Sequence, residues 1–178
     1  VTGAQDNTLR LWDLPQSRPF RQLLLHEGAL SRFALSSEST SFLSVGADKT
    51  VRFGAWSSEE EAQAESGHEA EILAAAMRND NTLFATGDKQ GAIYVWSPFL
   101  EGPQGTLGAH NGPVTDIAFH PNNQQFLSAG ADGSLKLWQL PIAPARELAG
   151  ESEILRAVTA PTNQPWAVTA GADKIIRV

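Results

Sequence analysis

The chain has 178 residues, 42% hydrophobic and 19% charged, with 15 Gly and 10 Pro, a balance ordinary for a turn-rich globular protein. Its formal net charge of −7 argues against a nucleic-acid backbone or an anionic membrane as partner, and no apolar run approaches a membrane span, so no insertion is expected. Zero Cys removes a disulfide framework, a thiolate metal site and a cysteine nucleophile, and is compatible with either redox compartment.

The first predicted strand pair lies in TGAQDNTLRLW (2–12), where TLRLW alternates apolar and polar residues and puts Leu9 and Leu11 on one face. RQLLL (21–25) reads as a weaker outer strand, and SRFALS (31–36) as a further strand running into turn-rich SSEST. FLSVG (42–46) and TVRFG (50–54) flank a tight hairpin turn carrying Asp48, with Val51 and Phe53 on a common face. The Glu and Ala of SSEEEAQAES (57–66) favour helix, but its place in the order favours an outer strand or an extended loop. LFATG (83–87) and AIYVW (92–96) make the next pair, with Ile93 and Val95 sharing a face, and QGTLG (104–108) follows as an outer strand. VTDIAF (114–119), the turn HPNNQQ, FLSAG (126–130) and SLKLW (134–138) go through the same order, with Leu135 and Leu137 on one face. TAGADKIIRV (169–178) begins it once more.

That order is an internal repeat. The turn markers Asp6, Asp48, Gln90, Asp132 and Asp173 are separated by 42, 42, 42 and 41 residues. His26, His68 and His110 each stand 22 residues before their marker, and Glu151 fills that place in the last unit. With this period, a Gly-His at Gly67-His68 and a Trp-Asp at Trp12-Asp13, the units resemble blades of the WD-repeat β-propeller family. The resemblance covers essentially the whole chain. It implies an all-β fold, a partial β-propeller of about four blades, each a four-stranded antiparallel sheet. The units run approximately 1–25, 26–67, 68–109, 110–150 and 151–178. Such a propeller usually closes with about seven blades, so the remaining blades are expected from further sequence of the same chain.

His110, Ser128, Asp132 and Trp138 admit two readings. In one, Ser128 is a nucleophile, His110 its base and Asp132 the orienting group. In the other they form a buried relay, since an indole N–H donates, a hydroxyl and a neutral imidazole each donate and accept, and a carboxylate accepts. Recurrence favours the relay. Thr2, Ser44, Thr86, Ser128 and Thr169 fill the hydroxyl position of every unit, and His26, Ser44 and Asp48 would make a second triad where an enzyme needs one. No GxSxG elbow accompanies these serines. The resemblance points the same way, because this network is a structural feature of WD-repeat blades.

Only the fourth unit carries the full set. Gly54 stands where the second unit should have Trp, although Trp56 has the same strand parity and could fill part of the space. In the third unit His68, Thr86 and Trp96 are present, but Gln90 replaces the marker Asp, which predicts a weaker neutral bond. Glu151 in the last unit would repel Asp173. His120 reads as a turn residue, and the six glutamates between Glu59 and Glu71 as a solvated outer face without cation-ligand spacing. No phosphate loop, dinucleotide fingerprint or zinc motif occurs, so no metal or cofactor is expected.

The chain therefore reads as a non-catalytic scaffold for protein–protein interaction that presents its loops to a protein or peptide. The alternative is an accessory sensor or binding domain of a larger multidomain enzyme or signalling protein. The relay would bring each His loop and each Asp hairpin to one end of the blade. Glu27, Arg32, Glu69, Glu71, Lys89, Asn111 and Thr115 would share that rim, by resemblance a face such proteins often use. Its acidic groups favour a basic segment.

Overall fold

The computed structural model describes residues 1–3, 6–13, 15–24, 26–38, 40–58, 61–141, 146–148, 154–160 and 167–177, with backbone only at 20, 24 and 146–148. Strands fill it, and no helix occurs among the described residues. They form five antiparallel sheets in chain order. Sheet 1 holds β1 (Thr2–Gly3), β2 (Thr8–Asp13) and β3 (Arg18–Leu24). Sheet 2 holds β4 (Leu30–Leu35), β5 (Ser41–Gly46), β6 (Thr50–Ala55) and β7 (Gln63–Ser66). Sheet 3 holds β8 (Ile72–Met77), β9 (Phe84–Asp88), β10 (Ala92–Trp96) and β11 (Pro103–Gly108). Sheet 4 holds β12 (Val114–Phe119), β13 (Gln125–Gly130), β14 (Leu135–Gln139) and β15 (Arg146–Leu148). Sheet 5 holds β16 (Leu155–Thr159), β17 (Val168–Gly171) and β18 (Ile176–Arg177).

Each sheet is a meander, and the first strands of successive sheets pack on one another: β4 on β8, β8 on β12, β12 on β16. Strand alternation explains the core, because every sheet sends one set of side chains toward the next. Leu9 meets Phe42 and Trp56; Val51 meets Ile72, Phe84 and Trp96; Ile93 and Val95 meet Val114, Phe126 and Trp138; Leu135 meets Leu155 and Val158. The segment whose composition favoured helix ends in β7, paired with β6 from Thr50↔Ser66 to Phe53↔Gln63. An open ladder edge on β6 outweighs intrinsic helix preference here. Glu59 and Glu60 lie outside the described residues.

The hairpin between the second and third strands of sheets 2 to 5, and between β1 and β2 of sheet 1, is one turn used repeatedly. Lys49, Gly91, Gly133 and Lys174 donate their amides to the carbonyl three residues back, and each has positive φ, as does Asn7 at the same position. This is a type I turn closed by a left-handed residue. Glycine adopts that conformation freely at 91 and 133, whereas the lysines hold it at a cost of about 1 kcal/mol each.

Candidate functional site

In sheet 4 the Trp138 indole donates to Ser128 Oγ at 2.9 Å, and Ser128 Oγ lies 2.8 Å from His110 Nε2. On the other side of the ring, His110 Nδ1 lies 3.1 Å from Asp132 Oδ1 and 2.9 Å from Ser134 Oγ. The proton arrangement follows from the ends. The indole can only donate and the carboxylate only accepts, so Nδ1–H points to Asp132 and Ser128 donates to Nε2. The carboxylate is also held by the amides of Asn111 at 2.8 Å and Ser134 at 3.0 Å. Burial works against the charge of Asp132, but these amides, the Ser134 hydroxyl and His110 outweigh it and hold the pKa down at about 2.

Sheet 3 makes the same chain from a different carboxylate. Trp96 donates to Thr86 at 2.7 Å, Thr86 meets His68 Nε2 at 2.7 Å, and His68 Nδ1 meets Asp88 Oδ2 at 2.9 Å. The expected weakening at Gln90 is therefore corrected: Asp88 restores the charge-assisted bond. By register Asp88 is opposite Ile72, as Gly46 is opposite Leu30 and Gly130 opposite Val114. It thus occupies the glycine position of sheets 2 and 4. There, a Cβ on Gly130 would lie 2.3 Å from His110 Nδ1 and 2.4 Å from Asp132 Oδ1. The same space is filled by a carboxylate reaching back from the turn or by one growing from the strand end. The Asp88 Oδ1 atom accepts the hairpin amides of Gln90 at 2.9 Å and Ala92 at 3.0 Å, so the turn is capped as well. The sequence carried the signal, an Asp two places early, but counting by fixed period passed over it.

Sheet 2 keeps His26 between Ser44, 2.9 Å from Nε2, and Asp48, 3.0 Å from Nδ1. Trp56 is buried against Phe42 with ring centroids 4.7 Å apart, yet its indole nitrogen has no hydrogen-bond partner. It replaces the volume of the missing Trp and not its donor. A Cβ on Gly54 would meet Phe42 Cζ at 2.9 Å, so the ring of Phe42 already covers that position. Burial lowers the pKa of His26 and of His68 despite the raising effect of Asp48 and Asp88, which keeps both imidazoles in the neutral form the relay uses. In sheets 1 and 5 the turn carboxylates instead bind an arginine four residues on, Asp6 with Arg10 and Asp173 with Arg177. Trp12 donates to Thr2 at 2.8 Å. Glu151 lies outside the described residues.

Ser44, Thr86 and Ser128 are 0% exposed. The oxygens of Thr86 and Ser128 are each shared between an indole and an imidazole. A hydroxyl sealed in this way offers an external substrate no approach. His120 Nδ1 accepts the Asn122 amide at 3.1 Å and so closes its own turn.

The rim residues divide into three kinds. Glu27 and Asn111 are exposed, with their amides bound to Asp48 and Asp132, and Glu69 is exposed next to His68. Glu71 and Lys89 pair with each other at 3.2 Å. Arg32 on β4 reaches the Thr115 carbonyl on β12 at 3.5 Å, while the Thr115 hydroxyl turns back to Ala129 O at 3.1 Å. Asp116, which sequence reasoning passed over, occupies on β12 the place of Arg32 on β4, since each follows a register shift and faces Val45 or Ala129 respectively. Burial raises its pKa, although it accepts the Val158 amide of the next sheet at 2.9 Å and feels the Arg32 charge.

The family description WD domain, G-beta repeat, matches residues 61–97 and 101–139, the stretches that contain β7–β10 and β11–β14. The chain belongs to the WD-repeat family. Apoptotic protease-activating factor 1 of Rattus norvegicus is 32% identical to this WD-repeat chain over 145 residues, 76% of the chain and 11% of that protein. Target of rapamycin complex subunit wat1 of Schizosaccharomyces pombe is 26% identical over 142 residues, 79% of the chain and 45% of that protein. Ribosome biogenesis protein WDR12 homolog of Drosophila mojavensis is 26% identical over an alignment of 202 residues, 100% of the chain and 48% of that protein. The WD-repeat chain thus spans between a tenth and a half of these relatives.

Proposed function

We propose that this WD-repeat chain is a non-catalytic interaction platform that binds a basic segment of a partner protein at the rim where the His loops and Asp hairpins meet. The observation that carries the reading is the construction of that rim. The relays hold the backbone of Glu27 and Asn111 on the partly exposed carboxylates of Asp48 and Asp132, so exposed side chains sit on a preorganised loop. Glu71 is neutralised by Lys89, which leaves Glu27 and Glu69 as the exposed acidic groups among the described rim residues. Relatives named as a subunit of a target of rapamycin complex and as a ribosome biogenesis protein support a role in assemblies.

The test compares proteins captured by the full chain with those captured by a Glu27→Lys/Glu69→Lys variant. Partners should be lost from the variant, and from the wild type as salt rises, with the melting temperature unchanged. Undiminished capture by the variant sinks the rim reading.

A further inference from the structure

At the end of the blades opposite the relays, a groove of about 400 Å³ runs between sheets 2 and 3. Phe53, Gly54 and Ala55 of β6 form one wall, and Pro98 and Phe99 of the turn after β10 form the other. A smaller hollow of about 130 Å³ continues it past Phe84, Leu100 and Glu101. The wall on the sheet 2 side is firm, because Phe53 stacks on Phe84 with centroids 6.0 Å apart and planes within 9°. So is the turn. Leu100 donates its amide to the Ser97 carbonyl and Phe99 donates to Ser97 Oγ, both at 3.3 Å, while Gly102 donates to Glu65 of β7 at 3.2 Å. A turn Ser-Pro-Phe-Leu is favoured by Pro at its second place but needs nothing apolar at its third and fourth. Phe99 is nonetheless 75% exposed and Leu100 57%. Two adjacent large apolar side chains, held out by a braced turn beside a groove, are a contact surface and not scattered exposure.

We infer that this groove is a second docking site, separate from the rim, for an extended segment of another protein that joins a bulky apolar residue to flanking Arg or Lys. The charge of the lining chooses the occupant. Glu61, Glu65 and Glu101 border it, and no Lys or Arg is among its described lining residues. An apolar anchor fills the space between Phe53 and Phe99, and a guanidinium stacks on the open ring face of Phe99 while its charge meets the glutamates. A second copy of this chain is a poor occupant, since a symmetric contact here would set the three glutamates against their own counterparts.

The test uses the full chain and three fluorescein-labelled peptides, Gly-Arg-Phe-Arg-Gly, Gly-Arg-Ser-Arg-Gly and Gly-Glu-Phe-Glu-Gly, followed by fluorescence anisotropy. The first should bind at least tenfold more tightly than the other two. Phe99→Ser and Glu101→Lys should each weaken it tenfold or more with an unchanged urea midpoint, and Glu27→Lys/Glu69→Lys should change it less than twofold. Equal binding of all three peptides, no binding at millimolar concentration, or loss only in the rim variant overturns the inference. The last of these outcomes supports the rim and removes the groove. Self-association in sedimentation that Phe99→Ser abolishes assigns the groove to a second copy and overturns the stated occupant.

Discussion

In sheet 3 the carboxylate on His68 grows from Asp88, at the end of β9; in sheet 4 the carboxylate on His110 reaches back from Asp132, two positions further into the turn. The side chain of Asp88 is 1% exposed and that of Asp132 14%. Both carboxylates bond an imidazole and a hairpin amide, that of Ala92 or Ser134. What the blade requires is therefore an acceptor in one volume between the His loop and the hairpin, and two backbone positions can deliver it. One of them must then be small. With Asp132 in place, position 130 has to be glycine because a Cβ would intrude on both partners; with Asp88 in place, position 90 is released and holds an exposed Gln.

The largest effect is expected for Asp88→Ala, set beside Gln90→Ala. The first leaves a buried imidazole N–H and two hairpin amides without their acceptor and should cost about 3 kcal/mol in urea unfolding. The second should stay within about 0.5 kcal/mol. Comparable losses at 88 and 90 would return the role to the turn position.

Next in size is acid. His26 and His68 have pKa values lowered by folding, so their contribution is complete above the unfolded value near 6.5 and is lost as pH falls below it. Protonation makes Nε2 a donor facing a hydroxyl, and in sheet 3 Thr86 already accepts from Trp96. Asp132, at about 2 in the fold, contributes fully above its ordinary value near 4 and loses that contribution between pH 4 and 2. Urea midpoints should therefore decline in two stages, one beginning near pH 6.5 and one below pH 4. Asp132→Asn should flatten only the second stage. A constant midpoint from pH 7 to pH 5 is incompatible with neutral, buried imidazoles.

Asp132→Gln should cost about 2 kcal/mol, and adding Gly130→Asp, whose Cβ requires the His110 ring to shift, should recover roughly half of it by copying sheet 3. Gly130→Asp in the presence of Asp132 should be destabilising. If the double variant is no better than Asp132→Gln alone, the two carboxylate routes are not interchangeable.

The smallest effect separates sheets 2 and 4. Both replacements remove the same buried ring volume, but Trp138→Phe also removes the donor to Ser128 and should cost about 1 kcal/mol more than Trp56→Phe, whose indole N–H has no partner. Equal costs, measured by thermal unfolding, would mean that volume alone matters at both positions.

The strands, their order and the repeat were all legible in the chain of residues alone. Alternation such as Leu135 and Leu137 in SLKLW is read directly from a two-residue period, and turn aspartates at a fixed interval mark the hairpins. Trp138, Ser128, His110 and Asp132 were legible as one relay because each offers a hydrogen-bonding capacity that another lacks. What the chain order concealed was decided in three dimensions. Asp88 could take over from a turn aspartate only because its side chain and that of Asp132 enter the same volume from different points of the backbone. Arg32 meets Thr115 because β4 and β12 both pack on β8, a contact between strands two repeats apart. The groove walled by Phe53 and Phe99 exists only where separate sheets stand side by side. Local periodicity fixes which way each side chain points along its own strand, but which atoms then share a space is set by the packing of one sheet on the next.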